Sequence, residues 1–201
     1  MRVQGLRAIT CACRFWEMLI GKIYPAITPE IADWVRRQHV FFVATAPLDA
    51  AHHVNISPKG LDTLRILPNN QVAYLDYTGS GAETIAHLRQ NGRITFMFCA
   101  FAGPPKIMRF HGRGRVVTTT SEEGLQIAEH FTSSEPPRAY IIADITRVSD
   151  SCGFGVPLMA FERERDSIAK WSEGKSAADL ANYRRLKNAK SIDSLPAWDE
   201  P

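Results

Sequence analysis

Four basic side chains fall on alternate positions of one short stretch, Arg109, His111, Arg113 and Arg115 in KIMRFHGRGRVV. Alternate residues of an extended strand share a face, so these four project together while Met108, Phe110, Gly112, Gly114 and Val116 project the other way. Two readings of that basic face stand open. It is either the solvated outer face of an antiparallel sheet or a surface whose charges bind a phosphate or another anion. Gly112 and Gly114 leave room on the opposite face for a second backbone or a flat ring to come close. The surroundings are basic too: no Asp or Glu occurs from Thr84 to Ser121, whereas Arg89, Arg93, Lys106 and the three strand arginines do. Just upstream, Thr78-Gly79-Ser80-Gly81 separates a strand-like run from a helical one. Small residues before a helix leave its first N–H groups unpaired, which suits a phosphate.

Other chemistries find less support. The six histidines are scattered, and His52-His53 has neither a third ligand nor helical spacing, so no metal site is expected. Ser57 and Ser80 lack the strained elbow that exposes a hydrolase nucleophile. Cys11, Cys13, Cys99 and Cys152 offer no second close pair for zinc. Reduced thiols in a cytoplasmic setting are expected, with Cys99 a small buried hydrophobe. No catalytic residue stands out. Nucleic acid is not an expected partner, because Phe110 lies opposite Arg109 and Arg113 and no aromatic group interleaves with them for base stacking.

The chain has 201 residues, 45% hydrophobic and 22% charged, with a formal net charge of only +3, which describes one ordinary domain. No apolar run reaches the length of a membrane span. Residues 1–20 carry Arg2, Arg7 and Arg14 before the first acid, Glu17. They are expected to form an N-terminal extension: a frayed tail, an upstream addition with the natural start at Met18, or a targeting segment.

The elements that must position these residues follow from pattern. Thr28 caps a short helix with Pro29 at its first position and Ile31, Trp34 and Val35 on its apolar side. His39–Ala46 reads as a strand buried on both faces. Val54 and Ile56 alternate in a half-exposed strand that Ser57-Pro58-Lys59-Gly60 should stop. Strands over Thr63–Leu67 and Val72–Asp76 follow, then a helix from Ala82 to Gln90 closed by Asn91-Gly92. Ile94–Cys99 is expected at the centre of the barrel, ahead of the basic strand. A helix from Ser121 to about His130 precedes a strand at Ala139–Ile145. Two further helices are expected, Phe161–Trp171 and Ala177–Lys187, the second with Ser176 and Asp179 as a capping box. The tail begins at Ser191.

Strand-turn-helix order and local motifs together resemble the pyridoxamine 5′-phosphate oxidase-like FMN-binding split-barrel family over about residues 28–150. The carriers are Val54-Asn55-Ile56-Ser57-Pro58-Lys59-Gly60, Tyr77-Thr78-Gly79-Ser80-Gly81 with its helix, Asn91-Gly92-Arg93-Ile94, and Arg109 with Gly112-Arg113-Gly114. The resemblance implies a mainly β, α+β fold: a six- to seven-stranded antiparallel split barrel over residues 21–150, with a C-terminal helical extension over 151–201 packed on the barrel. It further implies a homodimer with two interface flavin sites and an FMN-dependent oxidoreductase acting on a small molecule. The phosphate and ribityl chain would be held by Ser57, Lys59, Thr78, Gly79, Ser80 and Gly81, with Arg109 and Arg113 from neighbouring strands. Two departures qualify this. Members of the family often carry a basic residue where this chain has Gly81-Ala82-Glu83-Thr84, and Glu83 would repel a phosphate unless it points away. Lys59 is the candidate to compensate. The alternative is a dimeric barrel that has lost flavin and acts as a non-enzymatic binding or structural module. The tryptophan- and arginine-rich ending of the true vitamin B6 oxidases has no match in Cys152–Pro201, so this is not a true pyridoxamine 5′-phosphate oxidase.

Overall fold

The computed structural model describes residues 21–133 and 135–199; the expected 1–20 extension lies outside them. The described residues form eight strands: β1 Ile23–Tyr24, β2 Phe41–Thr45, β3 Asn55–Lys59, β4 Leu64–Leu67, β5 Gln71–Asp76, β6 Arg93–Cys99, β7 Ile107–Thr118 and β8 Ala139–Ser151. The helices are α1 Pro29–Arg36, α2 Glu83–Asn91, α3 Glu122–Ala128, α4 Ser167–Ser172 and α5 Ala177–Lys187. The sheet order is β3-β2-β6-β7-β8-β5-β4, with β1 added to β8, and every pairing is antiparallel. Its edges, β3 and β4, are consecutive in the chain and joined by residues 60–63, so the sheet must curl back on itself. Ring contacts record the closure: Tyr74 of β5 meets Phe41 of β2 at 6.0 Å and Phe96 of β6 at 6.1 Å, both edge-on. The interior they share also holds Val43, Phe98, Met108, Phe110 and Ile141.

Local chemistry explains the element ends. Thr28 Oγ1 accepts the Ile31 N–H at 3.4 Å, Gly92 ends α2 at φ 67°, and Ser121 Oγ accepts from Gly124 N at 3.0 Å. The left-handed cap at Gly92 is a conformation that glycine adopts without strain. Several expectations are corrected. β2 is buried on one face only, since Phe42 and Ala44 on the other are half-buried. β3 continues through Pro58 to Lys59; it is an edge strand, where a residue lacking an N–H is tolerated. The middle of the seven-strand path is β7, with β6 beside it. The backbone that approaches Gly112 is the protein's own: a Cβ there would lie 2.2 Å from the Asp144 carbonyl oxygen, next to a bulge between His111 and Gly112. The expected Phe161–Trp171 helix shrinks to α4: residues 158–166 are all exposed and lie outside any helix. The α5 capping box at Ser176 and Asp179 is present.

Candidate functional site

β3 sets out the site through its alternation. Asn55, Ser57 and Lys59 stand opposite Thr45, Val43 and Phe41 of β2, all three buried, so they line the inner face at the open edge of the barrel. Ile56 and Pro58 point outward. Asn55 Nδ2 donates to Thr45 Oγ1 at 3.2 Å and to Thr84 Oγ1 at 3.1 Å, tying β3 to the start of α2. Ser57 Oγ donates to Asn55 Oδ1 at 3.2 Å, which leaves its lone pairs to accept from a ligand. Thr45 Oγ1 also meets Nδ1 of the fully buried His87 at 3.0 Å. Burial pushes the His87 pKa below its ordinary value, keeping the ring neutral.

Next to this network lies a charge triad. Asp76 Oδ2 accepts from Arg138 Nε at 3.0 Å and Nη2 at 2.6 Å, with both side chains 3% exposed. Lys59 Nζ approaches the other oxygen, Oδ1, at 3.7 Å. Two cations therefore share one carboxylate, and the surplus positive charge sits at Lys59, the member with access to solvent. Tyr74 packs beneath, its ring centroid 5.6 Å from Lys59 Nζ. Its hydroxyl is held protonated, well above its usual pKa, by burial first and by the charge of Asp76 second.

The Thr78–Gly81 turn adjoins the triad through Arg138 Nη1, which donates to the Gly81 carbonyl at 3.1 Å. Asn188 Nδ2 donates to Gly79 O at 2.8 Å, and Arg184 Nη1 reaches Thr78 Oγ1 at 3.4 Å. Ala82 gives α2 no side-chain cap. Glu83 folds back instead: a Cβ on Gly81 would be 2.6 Å from its Oε2, and its Oε1 accepts the Ile192 N–H at 3.2 Å. Ile192 belongs to a C-terminal hairpin in which Trp198 N donates to Asn188 O and Ala197 N to Ala189 O, each at 2.9 Å. Ala197 packs on Ala82 and Ala86. Asp193 takes the His53 backbone N–H at 2.8 Å and ring Nδ1 at 2.7 Å, contacts that lower its pKa.

The expected anion site therefore divides within one chain. Lys59 and Gly81 contact the Asp76–Arg138 pair, with Ser57 on the same strand face as Lys59 and Thr78, Gly79 and Ser80 in the turn that leads to Gly81, whereas Arg109 and Arg113 stand on the outer face, in register with Met97 and Arg93. Arg109 donates to Ser151 Oγ at 2.9 Å, Arg113 to the Asn91 carbonyl, and Arg115 to Glu123 at 2.5 Å. His111 Nδ1 meets Thr95 Oγ1 at 3.1 Å, and burial lowers its pKa, as do the charges of Arg147 and Arg109. An apolar groove of about 1030 Å³ lies elsewhere on the outer surface, lined by Trp34, Val40, Phe42, Phe101, Lys106 and Phe161, and contains none of the expected site residues. Among the described residues no group of three His, Cys, Asp or Glu is arranged to hold a metal, and no helix is long and apolar enough to cross a membrane. Cys99 is buried and Cys152 exposed, both as free thiols; Cys11 and Cys13 lie outside the described residues.

An antiparallel barrel left open between β3 and β4, with α2 inserted after β5, defines the split-barrel class. The chain belongs to the pyridoxamine 5′-phosphate oxidase family: residues 27–152 match the family described as pyridoxamine 5′-phosphate oxidase. The pyridoxamine 5′-phosphate oxidase family protein ustO of Aspergillus flavus is 38% identical over 190 residues, covering 86% of this chain and 76% of that one. Among solved structures, HupZ of Group A Streptococcus aligns at a TM-score of 0.47 and 27% identity, over 61% of this chain and 91% of HupZ. An FMN-binding protein of Syntrophomonas wolfei aligns at 0.47 and 13% identity, over 77% of this chain and 97% of that one. Sequence reasoning passed over Asp76, Arg138, Asn55, Thr84 and the C-terminal hairpin. One signal was present: Arg138 is a lone charge between Pro136-Pro137 and the apolar run AYIIA, where a buried strand needs a counter-ion.

Proposed function

We propose that the protein is a flavin-binding oxidoreductase of this family that uses FMN and acts on a small molecule. The observation that carries the reading is the unbalanced triad, one carboxylate between Arg138 and Lys59, with the solvent-accessible surplus at Lys59 beside Ser57. A phosphate bearing close to two negative charges is the natural partner of such a surplus. The donor set also fits: Lys59 would hold the phosphate, and Ser57, Thr78 and Ser80 would accept from or donate to the ribityl hydroxyls. When bound, the flavin supplies hydride or electron transfer, and the protein supplies position and electrostatics. Around it Asp76 fixes Lys59, the Asn55 network fixes Ser57, and the neutral His87 and protonated Tyr74 add no charge to the core beneath.

The site is read as completed by a second copy. Val54, just before β3, and Ile56 within it are exposed apolar residues that a homodimer would cover, with Arg109 and Arg113 contributed to the flavin site across the interface. Light scattering should give a dimer mass. Free thiols at Cys99 and Cys152 fit a reducing compartment, the cytoplasm.

The deciding measurement is a visible spectrum of purified protein after addition of FMN and desalting. Flavin absorption retained near one per chain is expected. A colourless protein would overturn the reading in favour of a flavin-free barrel acting as a binding module, the alternative that the carboxylate of Glu83 at the turn favours.

A further inference from the structure

We infer that Glu83 is a built-in anion at the Thr78–Gly81 turn and thereby a specificity determinant, which directs a phosphate to Lys59 and away from the start of α2. The inference rests on the flavin reading for its ligand. Three observations carry it. The start of α2 has no side-chain cap, and the carboxylate that lies over Gly81 is the one belonging to the first helical residue. A negative charge there is favoured by the helix dipole, so the position an external anion would take is already filled. The carboxylate is also latched from outside, because Glu83 Oε1 accepts the Ile192 N–H of a hairpin that Asp193 and Asn188 fasten to His53 and Gly79. Finally, the fully buried Asn188 spends its N–H on Gly79 and leaves Oδ1, an acceptor, without a hydrogen-bond partner. That enclosed acceptor puts a further negative partial charge beside the turn, which disfavours an anion there.

The turn therefore suits the polyol part of a ligand, and a phosphate meets it only against the charge of Glu83. Glu83→Gln keeps the shape and the acceptor for Ile192 N–H while removing that charge, so the hairpin should stay docked.

Two titrations of the full chain test this. Flavin fluorescence should show FMN binding tightened about tenfold in Glu83→Gln, as expected for removing a like charge at close range, with riboflavin unchanged. Independently of flavin, inorganic phosphate at matched ionic strength should raise the melting temperature of Glu83→Gln more than that of the wild type, whose response comes from Lys59 alone. Equal shifts for FMN and riboflavin, or no shift, together with equal phosphate responses of the two proteins, would overturn the role of Glu83. If neither protein binds either flavin, the flavin reading falls, and the phosphate response alone decides whether Glu83 guards the turn.

Discussion

Lys59 and Arg138 share Asp76, yet a change at each should read out differently. Arg138 and Asp76 are almost fully buried, so Arg138→Ala strands a carboxylate in the core and should cost about 3–5 kcal/mol of stability in urea denaturation. Lys59 is only loosely paired and its side chain is 27% exposed. Lys59→Ala should leave stability within about 1 kcal/mol of wild type and weaken FMN, but not riboflavin, about tenfold. Equal loss of both flavins would mean that Lys59 shapes the pocket and does not neutralise a phosphate. Two histidines give a pH prediction. His87 and His111 have folded pKa values below 6.5, so the unfolded chain takes up protons first on acidification. Their stability contribution is complete above the unfolded value and shrinks as pH falls through about 6.5 towards the folded values. Melting temperature should drop between pH 7.5 and 5.5, and His111→Gln should flatten that slope. In the sequence Ser57 and Lys59 enter only through the family resemblance, because Ser57-Pro58-Lys59-Gly60 reads as a stop; their shared face emerges only with β3 running on to Lys59. The Asp76–Arg138 contact was not legible, because the partners are 62 residues apart and meet only once β5 pairs with β8.

At the scale of elements, β7 shows what pattern can and cannot convey. Its alternation read correctly, with Met108 and Phe110 in the core and Arg109, Arg113 and Arg115 outside, because a strand's period of two is local geometry. What the two glycines accommodate was not local. Gly112 faces the Asp144 carbonyl across a bulge, whereas Gly114 faces the mobile ends of Leu88, at 3.0 Å from a would-be Cβ, and Ile94, at 3.2 Å. Side-chain ends can shift and a ladder backbone cannot. Gly114→Ala should therefore cost about 1 kcal/mol and Gly112→Ala about 3 kcal/mol, within the usual range for overpacking, read from urea midpoints. The reverse order would mean that the bulge relaxes more readily than α2 repacks. The helix expected at Phe161–Trp171 illustrates the opposite limit. Its residues have helical composition, but helices in proteins persist mainly through a packed face, and nothing in the sequence announces that residues 158–166 stay exposed. Phe161 instead stacks flat on His39 at 3.6 Å.

For the molecule as a whole, the question is whether residues 151–201 are an appendage or part of the barrel. The sequence suggested an extension over a barrel complete by residue 150, and composition gives no reason to think otherwise. The hairpin contradicts the word appendage in energetic terms. Trp198 is 3% exposed and belongs to the same interior cluster as Ile31, Phe41, Tyr74 and Phe110, and Ala197 is fully enclosed against α2. The last residues therefore help to hold α2, and α2 carries Thr84, Glu83 and the turn. Trp198→Ala removes a large core side chain and should cost about 3–5 kcal/mol. The decisive feature is cooperativity. If the extension folds with the barrel, tyrosine near-ultraviolet dichroism from the core and far-ultraviolet dichroism from the sheet should move together to lower urea in one transition. If it is an appendage, the variant should show an early minor transition followed by a barrel midpoint equal to wild type. A single shifted transition would also place the integrity of the Ser57–Lys59 site under the control of the chain's final residues, so FMN retention in Trp198→Ala should fall in step with the fraction folded and not before it.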